Sequence, residues 1–254
     1  MMLPYRLAAI LLLPLVAGCI SYSTTSDVKT GYSSTRTDFA HFSFAASKGA
    51  SPQAQAQKLE EDMAEAQNYP SQKFAWNGQD KIEVEAPAIL CFQPSDTPYL
   101  EIRAPAKLLK ATQVTNGHVR LLNTAYKTSG KIPYTIIVHA PQVPRLHMSA
   151  FSHVVLENID QKELDIEMSH LGSLRATGEV QKLKLKLSGK IIADLTRLTA
   201  QDINAEAHET ATLHMRGNGV VNLVIADLAE VSLYTRPIIL KTQVQSSSKF
   251  YAQY

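Results

Sequence analysis

The sequence predicts an all-β body wound as a solenoid of stacked coils, and three observations predict it. From about Lys81 onward, apolar and polar residues alternate in short runs between turn residues, which is the two-residue period of a half-buried strand. From Ser149 the chain then repeats itself. Cuts at Ser149, Ser169, Ser188, His208 and Asp227 give segments of 20, 19, 20 and 19 residues, with a further 19 before Ser246. Finally, Lys182, Lys184 and Lys186 alternate with leucines, and the repeat sets them between Glu163, Asp165 and Glu167 on one side and Asp202, Asn204 and Glu206 on the other. Neighbouring rungs lie roughly 4.8 Å apart, so in a stacked register each lysine sits between acidic or polar neighbours; the run reads as a cross-rung salt-bridge ladder that fixes register, with a ligand patch as the alternative.

The chain opens with one basic residue, Arg6, followed by an apolar run from Leu7 to Val16. The run is shorter than the ~20 residues a membrane span needs and has the length of a signal-peptide core. It ends Val16-Ala17-Gly18-Cys19, which resembles the lipobox of bacterial lipoproteins. That resemblance implies removal of residues 1–18, a lipid on Cys19, and sorting to the outer membrane, since residue 20 is Ile rather than Asp. Residues 19–50 are rich in Ser, Thr, Ala and Gly and read as a flexible tether. Residues 51–80 read as a short helix and linker, with Ser51 as the cap, Pro52 in the first turn, and Asn68 and Pro70 at the end. Residues 81–254 form the β domain.

Within that domain, Ile82, Val84 and Ala86 alternate with Lys81, Glu83 and Glu85. Leu100 and Ile102 alternate with Glu101 and Arg103, Val119 and Leu121 with His118 and Arg120, and Tyr134–Val138 is a stronger β segment. In the repeats, the first strand offers two inward columns: Val154, Leu174, Ala193, Leu213 and Ser232, then Leu156, Ala176, Leu195, Met215 and Tyr234. The second strand offers Leu164, Leu183, Ile203, Leu223 and Thr242, then Ile166, Leu185, Ala205, Ile225 and Val244. A single coil cannot bury its apolar side, whereas a stack makes one core.

The stretch His139-Ala140-Pro141-Gln142-Val143-Pro144-Arg145-Leu146-His147-Met148-Ser149 and the turns Ser169-His170-Leu171-Gly172-Ser173 and Leu187-Ser188-Gly189-Lys190 resemble the GIN-domain family, the auto-transporter adhesin head domain. The likeness covers roughly residues 80–250. Ala150, His170 and Glu209 stand where that family often has glycine. The resemblance implies a single-stranded, right-handed β-helix-like solenoid with a binding role and no established enzymatic activity.

The formal charge of the whole chain is +2, and no basic block marks a nucleic-acid partner. With Cys19 given to lipid, Cys91 has no intrachain partner; its run Ala88–Phe92 makes it a small buried hydrophobe. No metal or other cofactor is expected: the eight histidines are dispersed, with no His-x-x-x-His or Cys-x-x-Cys spacing. A Gly-x-Ser-x-Gly elbow is also missing. The sharpest candidate site is Arg175, Asp194 and His214, which fall at one outward position on three successive coils. As a trio they could serve glycan cleavage, and as a ladder they would only be solvated ions. Tyr234, Phe250, Tyr251 and Tyr254 are expected to cap the last coil. The function these readings favour is an outer-membrane lipoprotein that presents a β-solenoid for adhesion to, or binding of, glycan or protein. The alternatives are an envelope assembly factor that binds a membrane-protein partner, and a glycan-active enzyme.

Overall fold

The structure, a computed structural model, describes residues 61, 64–78, 81–122 and 134–254. The leader, Cys19 and the tether lie outside these residues, as does most of the expected 51–67 helix; Glu61 and residues 64–66 are helical. The described body is all-β apart from that turn and one short helix, α1 (Ala106–Lys110). Its strands join in one 14-stranded sheet, bent round an apolar interior.

Two ladders run through the sheet. The first stacks β6 (His118–Leu121), β2 (Lys81–Val84), β8 (Arg145–Met148), the long ribbon β9 (Ser152–Ala207), β11 (Val220–Ile225) and β13 (Ile239–Val244), all in parallel. The second starts antiparallel, with β1 (Ser71–Ala75), β4 (Tyr99–Arg103) and β7 (Thr135–Ala140). It continues in parallel through β3 (Ala88–Pro94), β9, β10 (Thr212–Gly217), β12 (Glu230–Leu233) and β14 (Lys249–Ala252). A short antiparallel strand, β5 (Thr112–Thr115), flanks β6. Strand β1 and helix α1 were not legible in the sequence, and β1 occupies part of the stretch read as linker.

The alternation of the sequence becomes burial directly. Ile82, Val84, Leu100, Ile102, Leu164, Ile166, Leu174, Leu213 and Leu223 are buried in one continuous core, and Lys182, Lys184 and Lys186 point outward. A fully buried aliphatic side chain is worth roughly 1.5–3 kcal/mol, so these columns carry most of the stabilisation. Cys91 is buried beside Ile89, Phe151 and Val155.

The columns hold their register up to Met215 and then shift. Leu213 pairs with Ala193 and Met215 with Leu195, as the repeat predicts. The next pairing skips, to Arg216 with Thr199, leaving Thr196, Arg197 and Leu198 as a bulge that the following coil lacks. The coil with the bulge is therefore longer. Leu223 pairs with Ala205 rather than Ile203, and Ile203 pairs with Val221. Higher up, Leu213 and Met215 pair with Val231 and Leu233. Ser232 thus stands opposite His214 in the outward row, and Tyr234 lies beyond the strand, so neither belongs to the inward columns.

The corners explain the scarce glycines. His170, Glu209 and Asp227 take φ of 76°, 58° and 59°, and Gly189, in the same corner column, takes 106°. At these four levels the turn takes a left-handed residue whether or not glycine supplies it, whereas Ala150, at the level below, does not. The last coil is open on its first-ladder side: every residue of β13 is exposed, as is Ile238 at 81%. Of the expected aromatic cap, only Phe250 packs against the core; Tyr251 and Tyr254 are 40% and 54% exposed.

Candidate functional site: a mixed-charge flank

The outward residues of the first ladder form a polar flank that the ladder itself positions. In a strand, alternate side chains leave the same face, so a parallel register stacks like positions into rows. One row holds Lys81 opposite Arg145, then Arg145 bonded through Nε to Asp165 Oδ2 at 2.9 Å. Further along, Asn204 accepts from Asn222 Nδ2 at 2.7 Å, and Asn222 faces Lys241. The second row runs His118, Glu83, His147 and Glu167 on four adjacent strands. His147 Nδ1 lies 3.2 Å from Glu167 Oε2, and Lys81 Nζ 3.2 Å from Glu83 Oε2.

The lysine run sits in the middle of this flank. Lys184 pairs with Glu163 on the coil below, which holds the Glu163 carboxyl under the usual carboxylate range and pushes the lysine up. Burial works to raise Glu83, but the hydrogen bond and charge of Lys81, with the charges of His118 and His147, outweigh it and leave that carboxyl low. These pairs are solvent-exposed and screened, so they fix register more than they stabilise. Between β9, β11 and β13 the flank is hollowed into a groove of about 630 Å³ whose floor and walls include Glu167, Lys184, Lys186, Asn204, Glu206 and Lys241. No aromatic ring lines it. Its chemistry is that of alternating cations, carboxylates and amides at regular spacing, suited to a charged or strongly hydrogen-bonding ligand.

The trio lies on the other ladder. Asp194 and His214 do face each other on adjacent strands. Asp194 Oδ1, however, accepts from the Thr196 backbone N–H at 3.0 Å and from Thr196 Oγ1 at 2.6 Å, clamping the bulge. His214 Nδ1 lies 3.2 Å from the Tyr234 hydroxyl. Arg175 is half-exposed on an earlier pass of β9. The arrangement gives Asp194 a structural task. Sequence reasoning missed the groove itself, although the alternation of Lys182–Lys186 with the flanking acids signalled its central rows.

Among the described residues no helix is long and apolar enough to cross a membrane. A search of curated proteins finds no relative of this chain. Among solved structures, a putative adhesin from Bacteroides fragilis is 11% identical, with a TM-score of 0.60 over 72% of this chain and 96% of that one. A putative adhesin from Parabacteroides merdae is 9% identical over 72% and 95%, with a TM-score of 0.45. The first shares the fold, at an identity that speaks for nothing more. The family described as "Putative auto-transporter adhesin, head GIN domain" matches residues 79–217, more than half of the chain, and the chain belongs to that family.

Proposed function

We propose that this chain is an outer-membrane lipoprotein, held by lipid on Cys19, whose mixed-charge flank binds a charged glycan or protein surface at the cell envelope. It acts by presentation and contact rather than by turnover, and the coil winds as a right-handed β-solenoid. The observation that carries the reading is the groove on the first ladder, where cations, carboxylates and amides recur at strand spacing over several coils. Such a surface makes many weak contacts, each screened by salt, whose sum depends on all of them being met at once. Membership of an adhesin-head family points the same way.

The test is a glycan array and an envelope-protein pull-down with the chain lacking residues 1–19, repeated with Lys184, Lys186 and Lys241 all changed to Ala. The expected result is a ligand whose binding falls with added salt and drops at least about tenfold in the triple variant. Binding that ignores both salt and the three lysines overturns the assignment to this flank. Anchoring is tested separately: Cys19→Ser should move the protein from the membrane fraction to the soluble one.

A further inference from the structure

We propose that Glu83, Glu85 and His118 form a binding site for one divalent transition-metal ion, Zn²⁺ by preference. The inference does not rest on the adhesion reading. Glu83 and Glu85 stand two apart on and just beyond β2, so both side chains leave the outer face while Ile82 and Val84 fill the core. His118 is held between them by the backbone: the Glu83 N–H donates to Gly117 O and the Glu85 N–H to Val119 O, each at 3.0 Å. The ladder therefore fixes three ligand-bearing Cβ atoms before any ion arrives, as a site built on strands requires.

One donor atom from each residue lies within 4.8 Å of the others. His118 Nε2 is 2.9 Å from Glu85 Oε1. That nitrogen is nevertheless shut off from water and makes no hydrogen bond of acceptable geometry. An N–H···O bond at that distance should be aligned. Two atoms bound to one zinc at about 2.0–2.2 Å stand roughly 3.0–3.5 Å apart, each with its lone pair aimed at the ion rather than at the other ligand. The observed pair stands just short of that separation, without the alignment of a hydrogen bond, so a small outward shift of the Glu85 side chain would admit the ion. Two carboxylates this close also repel, and a shared cation relieves them more fully than the pairing of Glu83 with Lys81.

One imidazole and two carboxylates suit zinc and its neighbours in the first transition row over magnesium or calcium, which favour all-oxygen sites. The side chains of His118, Glu83 and Glu85 keep 27%, 32% and 45% exposure, so an ion can enter and still hold water in its remaining positions. Dispersed spacing hid the site from the sequence, since its members lie on two strands more than thirty residues apart.

The experiment is calorimetric titration of metal-stripped chain with zinc chloride, with and without His118→Ala and Glu85→Gln. The wild-type chain should bind one equivalent, and both variants should bind at least about tenfold more weakly. His208→Ala, far from the cluster, should titrate like wild type, and a Co²⁺ titration should give a visible d–d absorption that His118→Ala removes. Circular dichroism verifies that each variant is folded, and Glu85→Gln, which keeps size and shape, serves if His118→Ala is not. Absence of zinc binding, or equal binding by a folded variant, overturns the proposal; so does preference for Ca²⁺.

Discussion

Replacing Gly178 by alanine should cost about 3–5 kcal/mol, which is large for the addition of one methyl group. Gly178 turns the chain at φ +120°, a region L-residues rarely enter. A Cβ there would overlap Ile159 O on the coil below and come within 2.5 Å of Ile159 N and 2.8 Å of Ile159 C. Those are backbone atoms of a rung roughly 4.8 Å away, and they cannot rotate aside. Relief requires the two coils to part by about 1 Å, which breaks about two ladder hydrogen bonds at about 1 kcal/mol each, on top of about 1–3 kcal/mol of backbone strain. Gly217→Ala is the internal control. Its Cβ would meet Ile203 Cδ1 at 2.6 Å and Val221 Cγ2 at 2.8 Å, both side-chain ends that can repack for about 1–2 kcal/mol. Urea denaturation followed by circular dichroism gives both differences. If Gly178→Ala proves no worse than Gly217→Ala, the coils are not packed backbone to backbone at that corner, and the reasoning fails.

Three further outcomes follow from the same geometry. His170→Gly and Glu209→Gly should each raise stability by about 0.5–1 kcal/mol, because both residues hold left-handed φ that glycine adopts without strain; a fall in midpoint would mean that the contacts of Ser169 with His170 and of Ser188 with Glu209 matter more. His153 is wholly buried against Ser173 Oγ at 2.5 Å, and burial pushes its pKa down from 6.5 to about 3. The unfolded chain then takes up a proton that the folded chain refuses, so stability is complete above about pH 6.5 and falls toward pH 3 by up to about 1.4 kcal/mol per unit. Denaturation midpoints between pH 7 and 5 should show a shallower fall in His153→Asn, and parallel curves would refute the assignment. Asp194→Ala should lose about 1–2 kcal/mol by freeing the Thr196 bulge while leaving ligand binding on the other flank unchanged, as thermal melts and the binding assay would record.

How much of this was legible follows from what a period can encode. Alternation decides which side of a strand a residue takes, so the burial of Leu164, Leu174 and Leu213 and the exposure of Lys184 could be read at sight. Absolute register needs the length of every corner. The Thr196–Leu198 bulge broke the count, moved Leu223 from Ile203 to Ala205, and put Ser232 in the outward row. Nothing in Leu195-Thr196-Arg197-Leu198 announces a bulge by period alone; its cause is the reach of the Asp194 side chain to Thr196. Strand β1 escaped for another reason. It pairs antiparallel with β4 outside the repeat, where the sequence has no second copy against which to compare itself.

The division of labour between rows also explains why the fold reads more easily than the ligand. Inward columns must be aliphatic at nearly every level, since each buried chain there contributes stability and a polar replacement would leave an unpaired group. The outward row is under no such demand. Exposed pairs such as Arg145–Asp165 and Lys249–Glu230 add little to stability, so the fold tolerates almost any polar residue there. What occupies those rows is free to be set by contact with something outside the chain. The opposite charges on adjacent coils, the asparagine pair joining two more, and the groove across five of them are thus the features on which the proposed binding role would draw, beyond the register they help to fix. The same freedom keeps the identity of any partner out of the repeat, because a row the fold does not constrain carries no period from which its purpose could be read.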